Sequence, residues 1–207
     1  MFALVESGTI TQFPKGNKGI TLGDNQYPSG IYTLWTEAER NAIGIYTVEI
    51  DSTNRKDGTF YINTNITYAF GSGKVTGSYG TATAKAMADS LYTSQDNTDG
   101  LIPSDKSVGD VKIEGLKTKY KKQFNEQAAG LLAPTDWYVV KATEVSDYSV
   151  PSAITTYRAA VRTKVNAMET SIDGCANVEA LITLFSYTTN DAGVQSRPLG
   201  EFPDKVV

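Results

Sequence analysis

The residues best placed to do chemistry are Asp136, Trp137, Arg158 and Arg162. They sit in two apolar segments, Leu131-Leu132-Ala133-Pro134-Thr135-Asp136-Trp137-Tyr138-Val139-Val140 and Ser152 to Asp173. A carboxylate beside a guanidinium makes a charge-assisted hydrogen-bonded pair, and an indole can stack on the guanidinium plane. Such a set can clamp a ligand, or it can pin a corner between two helices and fix their register. Polar groups at helix corners are mostly satisfied locally, so the pin is expected, built from Leu131, Leu132, Asp136 and Tyr157. Trp137, flanked by Leu131, Leu132, Val139 and Val140, is expected to fill the junction; the alternative is a surface contact for a partner. The candidate partner-binding residues are Trp137, Arg158, Arg162 and Arg197.

Other chemistry is scarce. The 207 residues include no histidine and one cysteine, Cys175. That composition excludes Ser-His-Asp and Cys-His nucleophiles, histidine-ligated metals, intrachain disulfides and cysteine-based zinc sites. Cys175 reads as a small buried hydrophobe. Asp96, Asn97, Asp99 and Gly100 match a calcium loop in part but lack its closing bidentate glutamate. Gly71-Ser72-Gly73-Lys74 lacks P-loop spacing and joins two strands, so it reads as a hairpin turn. No catalytic residue, metal or cofactor is expected, and the chain is read as a non-enzyme. Tyr27, Tyr32, Trp35, Tyr46, Tyr61, Tyr68 and Tyr79 suit protein or glycan contacts as well as a small sheet core, and the sequence leaves that choice open.

The elements that must position these residues fall into two halves. Up to about Tyr79 the pattern is short and period-two: Phe2 to Glu6, Thr9 to Phe13, Ile45 to Ile50, Thr59 to Asn63, Thr64 to Phe70 and Lys74 to Tyr79 predict a small, mostly antiparallel sheet. Pro14 to Gly30 predicts a loop. Thr36 with Glu39 makes a capping box for a short helix ending at Gly44. Thr81 to Leu91 reads as a weak helix or an irregular strap. The polar, Gly- and Pro-punctuated stretch 93–110 reads as a linker.

Beyond it the period changes. Ile113, Leu116, Tyr120, Phe124, Ala128 and Leu131 predict an amphipathic helix capped by Asp110. Pro134 ends it, and Thr135 can cap a short helix from Asp136 to Lys141. Ile154, Tyr157, Val161, Val165, Met168 and Ile172 form the stripe of a second long helix, ending at Gly174. A short helix at Asn177 to Phe185 and an extended tail follow. The expected fold is α+β: a small antiparallel β-domain at 1–92, the linker, a helical hairpin within 111–185, and an extended docking tail at 186–207.

The net charge of −4 argues against general nucleic-acid binding. An acidic stretch with Asp96, Asp99, Asp105 and Asp110 abuts Lys112, Lys117, Lys119, Lys121 and Lys122, which read as a solvated helix face neutralised by nearby aspartates. No apolar run is long enough to cross a bilayer. Met1-Phe2-Ala3-Leu4-Val5-Glu6 carries no secretion signal pattern.

The opening hairpin, Tyr27-Pro28, Ala42 to Val48, and above all a Leu-Leu-x-x-Thr-Asp-Trp segment at Leu131 to Trp137 followed by Tyr-Arg-x-x-x-Arg at Tyr157 to Arg162 resemble small tail proteins of bacteriophages. These are tail fibre assembly proteins, tail assembly chaperones and fibre or baseplate components. The resemblance implies a non-enzymatic virion protein, made in the host cytoplasm, that docks other tail subunits in an oligomeric assembly. Its alternative is a transient tail fibre assembly chaperone absent from the mature virion. Residues 138–150 lengthen the link between the two motifs, and 174–207 extend past the usual end. That added surface favours a component that stays in the tail.

Overall fold

The structure, a computed structural model, describes residues 1–206. The chain is mixed α+β and divides into two compact units, Met1–Ala84 and Lys85–Val207.

The first unit begins with the hairpin of β1 (Phe2–Glu6) and β2 (Thr9–Gln12), turned by Ser7 and Gly8 at positive φ. A loop was expected at 14–30, but it holds a second small hairpin, β3 (Ile20–Leu22) with β4 (Asn25–Tyr27). Two short helices follow, α1 (Ile31–Leu34) and α2 (Glu37–Ala42). The reciprocal Thr36–Glu39 capping box fixes the start of α2. The remaining strands are β5 (Ile45–Asp51), β6 (Tyr61–Ile62), β7 (Ile66–Gly71), β8 (Lys74–Tyr79) and β9 (Thr83–Ala84), the last paired with β6.

The main sheet has the order β2-β1-β5-β8-β7. It is mostly antiparallel, with one parallel pair, β5 and β8. The chain leaves β5 through residues 52–65, and β7 takes the sheet edge before Gly71-Ser72-Gly73 turns β8 back between them. A parallel neighbour needs such a crossover, which strand periodicity does not encode. Phe13, just after β2, stacks on Tyr68 of β7 at 4.7 Å, so the two sheet edges approach and the sheet nearly closes.

Successive side chains of β1 point to opposite faces, and both faces are covered. Leu4 joins Ile20, Ile31, Tyr32 and Ile45, while Ala3 and Val5 join Val48 and Val75. Gly44 permits the step from α2 into β5. Its φ is +81°, and a Cβ there would lie 2.7 Å from the Val5 carbonyl oxygen.

The second unit starts with β10 (Ser90–Leu91) paired to β11 (Val111–Ile113), and between them lies α3 (Ser94–Thr98). The expected linker at 93–110 is therefore structured, and the boundary falls near residue 84. Asp96 does this ordering. It closes a capping box with Thr93 and pairs with Lys112 at 2.5 Å, contacts that hold its carboxyl well below the usual range, at about 2, with the Lys112 hydrogen bond the largest cause. Composition hid this, since the segment is held by polar contacts rather than by an apolar stripe.

The long helix α4 (Leu116–Leu132) starts one turn later than predicted, and Ile113 is an exposed strand residue. Asp110 does not cap it. Asp89 does so from outside, accepting from the Gly115 amide at 2.7 Å and the Thr118 hydroxyl at 2.9 Å. Carbonyls of Ala86 and Met87 take the next two amides. Gly115 allows this approach, because a Cβ there would lie 2.4 Å from Ala88 backbone.

After α5 (Asp136–Glu144) comes α6 (Ser152–Asp173), whose predicted stripe of Ile154, Tyr157, Val161, Val165, Met168 and Ile172 is buried. Polar contacts run from Lys121–Asp173 through Asn125–Glu169 to Arg158 and the Leu132 carbonyl, so α4 and α6 lie antiparallel. The last helix, α7 (Val178–Phe185), is capped by Asn177 and stacks Phe185 on Tyr120 at 4.6 Å. Several lysines of the basic stretch find acidic partners in Asp96, Asp173 and Glu114.

The C-terminal segment is not a free extended tail. β12 (Thr188–Thr189) and β13 (Gln195–Ser196) form a hairpin, Leu199 is 2% exposed, and its carbonyl accepts from Lys164 of α6 at 2.7 Å. No described helix is long and apolar enough to cross a membrane.

Candidate docking site at the helix corner

The corner is built where α4 runs out of hydrogen-bond donors. A helix leaves its last carbonyls unpaired, and Pro134 brings no N–H to the turn that follows, Ala133–Thr135. The free carbonyls of Leu131 and Leu132 are taken by α6. The Tyr157 hydroxyl donates to Leu131 O at 3.3 Å, and Arg158 Nη1 donates to Leu132 O at 3.1 Å. A cation at a helix C-terminus is also favoured by the aligned peptide dipoles.

Thr135 does not cap α5 through its side chain, as the sequence predicted. Its hydroxyl donates to Leu132 O at 2.7 Å and accepts from Arg158 Nη1 at 2.5 Å, which makes it a buried partner of the arginine. Asp136 completes the set, its Oδ1 2.7 Å from Nη1. The structure thus brings Leu131, Leu132, Asp136, Tyr157 and Arg158 together. All of Arg158's partners are reached through one nitrogen, leaving Nη2 and Nε without a partner among the described residues.

Trp137 neither fills the junction nor stacks on Arg158. It is 52% exposed and lies against its neighbour Tyr138, ring centroids 3.9 Å apart, with the Lys141 ammonium 5.7 Å away. The reason is helical phase. Each residue turns the helix by about 100°, so once Asp136 faces Arg158, Trp137 points elsewhere. Val139 and Val140 are also exposed, and α5 has no buried residue.

Arg162 lies one turn after Arg158 and is exposed, with no ion pair or hydrogen bond among the described residues. The two arginines, Val139, Val150 and Thr155 line an open cleft of about 300 Å³. Sequence reasoning named the arginines and Trp137 but missed the cleft, because Val150 lies in the irregular 145–151 connection, where no periodicity points to it. The spacing of four between Arg158 and Arg162 on a helix was the available signal.

Arg197 is not part of this site. It pairs with Glu201 at 2.7 Å, its guanidinium carbon lies 5.1 Å from the Tyr187 ring centroid and 5.8 Å from that of Phe124, and its side chain is 16% exposed. It fastens the C-terminal segment, its Nε also donating to the Gly200 carbonyl at 3.3 Å.

Asp96 is committed to the α3 cap and to Lys112, Asp99 accepts from Gln95 at 2.8 Å, and no cluster of three or more metal-ligating side chains occurs among the described residues. No family model, curated protein or solved structure matches the chain.

Proposed function

We propose that this chain is a non-enzymatic component of a bacteriophage tail, held in the virion at a fibre, baseplate or tail tip, where its helical unit docks neighbouring tail subunits. One observation carries the reading: α5 presents Trp137, Val139 and Val140 to solvent beside a cleft edged by an unpaired arginine. Contiguous exposed apolar surface beside polar groups marks an interaction site more often than chance exposure does. Tryptophan and arginine are also the side chains that most often dominate interface energetics.

The same two segments that resemble phage tail proteins, Leu131 to Trp137 and Tyr157 to Arg162, build this corner, and the second lines its cleft through Arg158 and Arg162. The finer arrangement we propose is a helical docking module, α4 to α6, in the same chain as a small β-unit. Because the C-terminal segment is fastened to α6 through Lys164 and Leu199, the docking role rests on α5 and the cleft.

Mass spectrometry of purified particles tests the reading. Presence of the chain in stoichiometric amounts supports a resident tail component, and its absence from particles whose fibres need it for solubility would replace that with a transient assembly chaperone.

A further inference from the structure

We infer that the cleft between α5, the 145–151 connection and α6 is a binding site for the carboxylate of a glutamate or aspartate side chain, flanked by aliphatic residues on a partner protein. This rests on the docking reading and names the chemistry of the partner segment.

Charge in the cleft is unbalanced. Arg158 and Arg162 lie at i and i+4 on α6 and line one cleft, and like charges at that spacing repel. Asp136 neutralises only Arg158, through Nη1. One positive charge remains in the cleft, together with the unpaired Nη2 and Nε of Arg158 and the whole guanidinium of Arg162. A monoanion balances it.

Guanidinium groups present planar forks of donors that match a carboxylate. The walls contributed by Val139 and Val150 disfavour a heavily hydrated phosphate dianion and suit an aliphatic neighbour of the acid. Exposed Trp137 and Val140 extend apolar surface along α5 beyond the cleft, which a free small acid would leave uncovered. A protein segment covers both.

The test is NMR titration of the full ¹⁵N-labelled chain with a short end-capped peptide, Val-Glu-Leu, against Val-Gln-Leu, acetate and inorganic phosphate. The Glu peptide is expected to shift the Arg162 Nε–H resonance and the Val139 and Thr155 amides saturably. Binding should weaken by about tenfold or more with the Gln peptide or with Arg162→Gln. Arg162 is exposed, so its replacement leaves folding intact, and an unchanged amide spectrum elsewhere verifies that. Equal affinity for the Gln peptide, equal affinity for acetate or phosphate, or no saturable shift would overturn the inference. Particle composition answers the separate question of tail residence: a chain found in virions with an unresponsive cleft sinks this inference alone, and a responsive cleft in a chain absent from virions sinks only the tail assignment.

Discussion

Arg158 Nη1 lies 2.5 Å from the hydroxyl of Thr135, 23 residues earlier, and the same nitrogen holds Leu132 O and Asp136. Arg158 is 9% exposed and Thr135 6%, so these hydrogen bonds are sheltered from water. Thr135→Val keeps the shape and removes an acceptor from a buried cation, at an expected cost of about 1–3 kcal/mol. Arg158→Met should cost a similar amount, because Asp136 loses its counter-ion and the Leu132 carbonyl keeps only the Thr135 hydroxyl as a donor. In a double-mutant cycle followed by urea unfolding, the two changes should couple by about 0.5–3 kcal/mol. Simple additivity would show that the corner is not held by this pair.

Trp137 gives the opposite expectation. With half its surface in water, Trp137→Ala should change stability by no more than about 0.5 kcal/mol. Incorporation into particles should fall sharply. A thermal melt shifted as far as core truncations shift it would place the indole in the interior and remove it from the docking face.

Asp96 sets a pH dependence. Its carboxyl is lowered from 3.8 to about 2, first by the Lys112 hydrogen bond and then by the Thr93 backbone bond. A depressed carboxylate contributes stability above its unfolded value and loses it as pH falls through the folded one. The Tm gap between wild type and Asp96→Asn should therefore be constant above about pH 5 and shrink between 3.8 and about 2. A gap independent of pH would mean that Asp96 acts through its capping geometry alone.

Much of the scaffold was legible because it follows from periodicity. The α6 stripe from Ile154 to Ile172, the Thr36–Glu39 capping box and the Gly71-Ser72-Gly73 turn are local patterns with local causes. What escaped were relations between distant residues. The parallel pairing of β5 with β8 depends on a crossover. The cap on α4 comes from Asp89, 26 residues before Gly115. The Lys164–Leu199 contact, which ties down the C-terminal segment, spans 35 residues. At the corner, Asp136 and Arg158 could be paired on paper. Placing Trp137 needed the helical phase that their pairing imposes.

Cys175 offers a check on the packing of the second unit. It is 7% exposed, its thiol lies 3.4 Å from the Ser171 carbonyl, and burial raises its pKa, partly offset by Lys117. A buried, protonated thiol is a poor nucleophile. Its reaction with a soluble disulfide reagent should be slow in the native protein and immediate in denaturant. Fast labelling under native conditions would show that the α6–α7 junction opens readily.

The central claim is that this chain resides in a tail, docked through α5 and its cleft, and quantitative mass spectrometry of purified particles tests it most directly. With the wild-type chain, its peptides should appear in fixed proportion to those of other tail proteins, and Trp137→Ala combined with Arg162→Gln should lower that proportion about tenfold or more while the soluble protein stays folded. Particles that lack the wild-type chain, or that carry the double variant at undiminished copy number, would contradict the account.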